Sequence, residues 1–183
     1  MRLDSQLMFV PPGAPLSLVA GAGVSIPSSA TLDLLGAGVG VAPTNIIGVS
    51  ALTFGADVGI GGDKAQVEVV IGTAPTTSNS CTLNIAFQAA PDTGSSGGYQ
   101  PGTWTTLVET GPIAVASLTA GQVLARFDFP PAFPAGQRPR FLRLLFQVPA
   151  GENFATGTIS FAVVTFVRDD QGNKYAQRNF SVA

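Results

Sequence analysis

The sequence predicts an all-β protein, an antiparallel β-sandwich with an extended arm at either end, and three observations carry that prediction. Glycine and proline number 22 and 14 of 183 residues, and charged residues make up only 11%, against about 25% in an average protein. Such a chain favours short strands and turns over helices. Several stretches alternate apolar and polar residues with a period of two, the mark of a half-buried strand. The segments between them hold glycine for positive φ, proline for fixed φ, and aspartate and serine for local backbone bonding.

Residues 1–15 read as an N-terminal arm. Leu3, Leu7, Met8 and Phe9 are apolar, and Pro11, Pro12 and Pro15 prevent a stable helix after them. A terminal arm with apolar residues docks, on its own domain or on a neighbour. The sandwich spans 16–167. Leu16, Leu18 and Ala20 alternate, as do Ala30, Leu32 and Leu34, giving two weak strands; residues 41–53 suggest another. Gly36, Gly38 and Gly40 lack the spacing and the βαβ setting of a dinucleotide loop. Between Phe54 and Lys64, Asp57 and Asp63 flank glycines, which raises calcium. The carboxylate spacing of an EF-hand is absent, and a tight turn is the favoured reading.

Lys64 to Ile71 is a strand with Ala65, Val67, Val69 and Ile71 inward. Ser80 to Val108 is the organising stretch. Cys81, Leu83, Ile85, Phe87 and Ala89 fall on one face, with Thr82, Asn84, Ala86 and Gln88 on the other. A long, exposed, flexible loop then leads to a strand after Trp104, and Phe87 and Trp104 are expected as core anchors. Residues 110–122 have room for one helical turn. Val123, Ala125, Phe127 and Phe129 point inward from the next strand, which Pro130 and Pro131 end.

From Arg138 to Val148, Leu142, Leu144, Phe146 and Val148 form the core face. Phe141, Arg143 and Leu145 lie opposite, and two apolar residues beside an arginine imply a covered face. Thr158 to Val167 is expected to place Ile159, Phe161 and Val163 on one face, and it is apolar on both, as central or interface strands are. Residues 168–183 form a C-terminal tail or an edge strand, carrying Tyr175 and Phe180.

The mean hydropathy of +0.36 is high, yet no apolar run approaches the roughly 18 residues of a membrane helix. One Trp and two Tyr cannot build the aromatic girdles of an outer-membrane barrel. Met1 to Asp4 does not open as a signal peptide does. The single cysteine forms no internal disulfide, and the parity of Cys81 makes it a small buried hydrophobe. Residues 1–125 hold two basic and seven acidic side chains, a balance of −5, and 126–183 hold seven and four, a balance of +3. That asymmetry suits complementary patches between subunits, with scattered solvated charges as the plainer reading. It is too weak for a nucleic-acid footprint. There is no histidine, hence no Ser-His-Asp triad, and no cysteine cluster for zinc. The reading is therefore a binding or structural module without catalytic residues, cofactor or metal, rather than an enzyme.

Several segments, taken in order, resemble head decoration (cement) proteins of short-tailed bacteriophages. They are Leu3-Asp4-Ser5-Gln6-Leu7, Asp57-Val58-Gly59-Ile60-Gly61, and Leu83 to Gln88 followed by Gly102 to Leu107. Ile113 to Gly121, Arg140 to Phe146 and Phe154 to Ile159 complete the set. The neighbourhood of 79–102, residues 43–51 and the tail after Val167 depart from the pattern. The resemblance implies a jelly-roll-like sandwich on the outer surface of an icosahedral phage head, within the virion, made in the host cytoplasm. Its partner would be the major capsid protein, with neighbouring copies bridged by a homo-oligomer, a dimer ahead of a trimer. Leu3, Leu7, Phe9, Phe141, Arg143, Leu145, Tyr175 and Phe180 are the expected partner-facing residues. The alternative is a carbohydrate- or receptor-binding sandwich of a spike or tail, which needs exposed aromatics.

Overall fold

Where the sequence alternates, the chain pairs. A computed structural model describes residues 7–34, 64–77, 81–94, 100–129 and 139–167. The first strands are short: β1 (Met8–Val10), β2 (Leu16–Ser17), β3 (Ile26–Pro27) and β4 (Leu32–Asp33). The long ones match the strongest alternation: β5 (Lys64–Ile71), β6 (Thr82–Ala90), β9 (Val123–Phe129), β10 (Phe141–Gln147) and β11 (Thr158–Val167). Between them lie β7 (Thr105–Glu109) and the two-residue β8 (Ile113–Ala114). A single 3-10 turn at Val115–Ser117 fills the place expected for one helical turn. The strand suggested at 41–53, the glycine-flanked Asp57 and Asp63, and the tail 168–183 lie outside the described residues.

The pairing is antiparallel throughout the named strands. One sheet runs β1-β11-β5-β9, with β2 also on β11; the other runs β3-β10-β6-β7, with β4 also on β10 and β8 on β6. β1 and β2 therefore share one strand position, β3 and β4 share the next, and β7 and β8, both on β6, share a third. Counted that way, the sheets read 1-8-3-6 and 2-7-4-5, which is the strand order of a jelly roll. The chain is an all-β sandwich of two antiparallel sheets.

The core between the sheets joins Val67, Val69 and Ile71 of β5 to Leu83, Ile85, Phe87 and Ala89 of β6, with Leu142, Leu144 and Phe146 of β10. Phe87 is its centre: its ring meets Phe9 edge-on at 5.8 Å and stacks on Phe127 at 6.4 Å. Burying each such side chain contributes about 1.5–3 kcal/mol. Cys81 lies in the same cluster. Burial, reinforced by the nearby Glu152, pushes its thiol up to about 11, so it stays a protonated apolar group at neutral pH.

Besides the short β1, whose pairing shifts register between Met8 and Val10, three strands depart from simple alternation because each carries a one-residue bulge, which swaps the faces beyond it. In β11, Ile71 faces Ile159 and Val70 faces Phe161, so Ser160 is the extra residue. Ile159, Ala162 and Val164 then join the core, while Phe161 and Val163 face the other way, contrary to the expected parity. β11 is apolar on both faces because it is central, between β1 and β5. In β9, Leu124 is extra between Ala125 and Val123. Leu124 packs against the core and Val123 turns outward, 36% exposed. In β7, Leu107 is extra between Val108 and Thr106. That bulge places Thr106, opposite Gln88, on the outer face.

The N-terminal arm also needs correction. Leu7, Phe9 and Val10 are at most 1% exposed and belong to the core, and β1 pairs with β11. The chain from Leu7 onward is thus an edge strand of its own sandwich. The prolines exclude a helix, as expected, but an interrupted strand tolerates them at a sheet edge.

Candidate functional site

The two ends of the sandwich are built differently. Strand connections 18–25, 72–81, 110–122 and 148–157 lie at one end; connections 35–63, 91–104 and 130–140 leave from the other. Asp33 closes β4, Asp92 follows β6, and Arg140 precedes β10, so these three residues sit at the bases of the three connections of that second end, called the long-connection end after 35–63. They converge on one guanidinium. Arg140 donates from Nε to Asp33 Oδ1 at 2.9 Å and from Nη2 to Asp33 Oδ2 at 2.9 Å. Its Nη1 donates to Asp92 Oδ2 at 2.6 Å. The two-pronged bond to Asp33 is the strong, geometrically specific form. Arg140 and Asp33 are both 5% exposed.

The remaining Asp92 oxygen, Oδ1, accepts the backbone N–H groups of Gly94 at 2.9 Å and Gln100 at 3.1 Å. These amides, Gly94 foremost, together with Arg140, hold the Asp92 carboxyl below the usual carboxylate range, against a smaller opposing effect of burial. The bond from Asp33, then its charge and Asp92, raise the Arg140 guanidinium further still. Pairing also continues past β6, since Asp92 bridges Pro101 and Gly102 N–H donates to Pro91 O at 2.8 Å. The base of the loop expected after Ala90 is therefore a pinned hairpin.

The second feature is the outer face of the β3-β10-β6-β7 sheet. Its cross-strand rows run Arg143–Gln88–Thr106, then Pro27–Leu145–Ala86–Glu109, then Gln147–Asn84. Polar residues form a ladder across it. Arg143 Nε donates to Gln88 Oε1 at 2.9 Å, and Gln88 Nε2 donates to Thr106 Oγ1 at 3.1 Å. Asn84 Nδ2 donates to Gln147 Oε1 at 2.8 Å and to Glu109 Oε2 at 3.0 Å. The Arg143 guanidinium lies over the Trp104 ring, 4.1 Å from its centroid, within the range of a cation–π contact. Burial pushes the Arg143 pKa down, and the group remains a cation at neutral pH.

Of the expected partner-facing residues, Leu3, Tyr175 and Phe180 lie outside the described residues. Leu7 and Phe9 are core residues. Phe141 is on the outer face but fully buried, with the Arg140 guanidinium 5.2 Å from its ring centroid; it is not free to meet a partner. Arg143 and Leu145 are half-buried on the open part of that face. Trp104, expected in the core, is half-buried on the outer face instead. It precedes the bulge at Leu107, and counting back from Val108 without that bulge puts it on the wrong side. A shallow depression of about 230 Å³ along β9, lined by Val123, Leu124, Ala125 and Arg126, brings together no acid–base pair. Among the described residues no cluster of three or more metal-ligating side chains occurs.

No model of a known protein family matches the chain, and no curated protein matches it in sequence comparison.

Proposed function

We propose that the chain is a non-enzymatic head decoration protein that binds the outside of an icosahedral phage capsid and bridges neighbouring major capsid protein subunits. The observation that supports this most is the staple at the long-connection end. One buried guanidinium ties the bases of three connections to one another, on a sandwich with a continuous hydrophobic core. A rigid body that presents several segments from one end suits a bridging role. Bound protein then stabilises the assembled shell by mass action, and repetition over the lattice multiplies weak contacts into avidity. A homo-oligomer fits the same reading, because Leu145 adds apolar area to an open sheet face.

Cosedimentation with intact heads is the test. The protein is expected to pellet with the particles at a fixed ratio to the major capsid protein and to raise their resistance to heat. Recovery wholly in the supernatant, with unchanged particle stability, would overturn the reading. Trp104 on the outer face favours a second reading, a glycan- or receptor-binding sandwich. Saturable binding to a neutral glycan without cosedimentation would put that second reading first.

A further inference from the structure

Arg143 is the unusual charge of the outer face. Among the described residues it faces no carboxylate: its polar contact is the Nε bond to the Gln88 amide, and Trp104 covers one side of its plane. Partial burial of a cation without a counter-ion costs free energy. Here the neighbours hold the group in place instead of neutralising it. Gln88 is 7% exposed, is fixed in turn by Thr106, and leaves the terminal Nη1 and Nη2 of Arg143 to other acceptors. A guanidinium held by ring stacking and one Nε bond has lost most of its rotamer freedom. Its terminal fork is therefore prepared for two parallel bonds to a carboxylate.

We infer that Arg143, held on Trp104 and aimed by Gln88, is a docking site for an aspartate or glutamate side chain of a protein partner. Three features select a protein carboxylate over a sugar. One face of the Trp104 ring, the face beside the fork, is already taken up by the guanidinium. The surface is a sheet face with Leu145, Pro27 and Ala86 in the next row, which suits an apolar residue adjoining the acid. Glu109, in the next row of the sheet, bonds Asn84 and not Arg143, so it does not occupy the Arg143 fork. The identity of the partner as a shell subunit rests on the proposed function; the existence of the site does not.

Trp104 is the single tryptophan, so its fluorescence reports on this site alone. The isolated full-length protein would be titrated with the peptide acetyl-Leu-Glu-Leu-amide, its Gln counterpart, and glucuronic acid, while the Arg143 Nε–H resonance is followed by NMR. The Glu peptide is expected to give a saturable change in both signals, at least about tenfold tighter than the Gln peptide, and weakened by salt. Arg143→Gln should abolish it, and Arg143→Lys, which keeps the charge without the fork, should weaken it; both are first checked for an unchanged thermal midpoint. Equal response to the Glu and Gln peptides, no response at any concentration, or tighter binding of glucuronic acid than of the Glu peptide would overturn the inference. Because no shell is present, failure here with intact cosedimentation removes this site and leaves the proposed function. Peptide binding without cosedimentation keeps the site and removes its assignment to a capsid.

Discussion

The short-connection end and the long-connection end close the same sandwich by different means. At the short end the links are many, spread over several residues and mostly backbone. Gly72 N–H donates to Thr158 O at 2.8 Å, Ala155 N–H to Thr76 O at 2.7 Å, Leu18 N–H to Gly157 O at 2.9 Å and Gly23 N–H to Glu152 O at 2.9 Å. The hydroxyls of Thr76 and Thr156 add a bond at 2.7 Å. At the long end backbone bonds also join β4, β6 and β10, with Leu34 N–H donating to Arg140 O at 2.9 Å and Arg140 N–H to Ala90 O at 2.9 Å, and the Arg140 side chain adds a buried ion cluster to them. Each backbone bond contributes about 1 kcal/mol net, so loss of one at the short end leaves the others in place. The added ion cluster makes the long end more sensitive to a single residue than the short end is.

The strongest way to break the contrast is Arg140→Ala. It leaves the Asp33 carboxylate buried without its partner, and removing one member of a buried pair typically costs about 3–5 kcal/mol. Urea unfolding should show that loss. Pairing Arg140→Met with Asp33→Leu should recover much of it, because well-packed apolar residues often replace a buried pair without penalty. A loss below about 1 kcal/mol for Arg140→Ala would mean that the long end is held by other contacts.

A smaller effect is expected at the short end from Gly157→Ala. Gly157 has φ of +135°, and a Cβ there would meet Pro75 Cβ at 2.8 Å and its Cα at 3.0 Å. The backbone conformation and the ring together make relief costly, and about 1–3 kcal/mol of strain is expected. The damage should be local, since the backbone bonds around it persist. Amide exchange should therefore accelerate at Ala155 and Thr158 and stay unchanged at Arg140 and Gly102. Equal acceleration at both ends would show that the two are not independent.

How far the sequence shows this depends on the length of each strand. Period-two alternation in β5, β6 and β10 makes their core faces legible, and Phe87 and Cys81 lie where parity puts them. In β7, β9 and β11 the same rule fails beyond Leu107, Leu124 and Ser160, because a bulge changes the parity without leaving a mark in composition. Trp104, expected in the core from its strand context, lies on the outer face because of the bulge at Leu107. Leu7 and Phe9 resemble a docking arm because β1 is three residues long, too short for its alternation to show; pairing with β11 supplies what the local pattern lacks. The Arg140 cluster joins residues 107 and 48 positions apart. Nothing local in Asp33 or Asp92, each read as an ordinary charge, announces that separation is closed by the fold. The ladder around Arg143 was half visible, since its strand showed an arginine between two apolar residues on the outer face.

The most subtle test of the contrast is acid. The Asp92 carboxyl is held below its ordinary value by backbone amides as well as by Arg140. An aspartate in the unfolded chain takes up its proton near pH of about 3.9, and in the folded protein it does so at lower pH. Between those two values the unfolded state binds more protons, so stability rises with pH across that window. The contribution of Asp92 is complete above the unfolded value and is lost as pH falls through the folded one. Protection factors from amide exchange, corrected for intrinsic rates, should therefore fall first at Gly94 and Gln100, whose N–H groups bond Asp92 Oδ1. Gly72, Ala155 and Thr158, which donate to backbone carbonyls at the other end, should hold their protection over the same range. Asp92→Asn keeps an oxygen acceptor for the two amides and removes the titrating charge, so the acid-dependent drop at Gly94 and Gln100 should flatten while the arginine contact weakens. A parallel fall of protection at both ends, or an Asn variant with the same acid dependence at those two amides, would show that Asp92 does not set the acid response of this end.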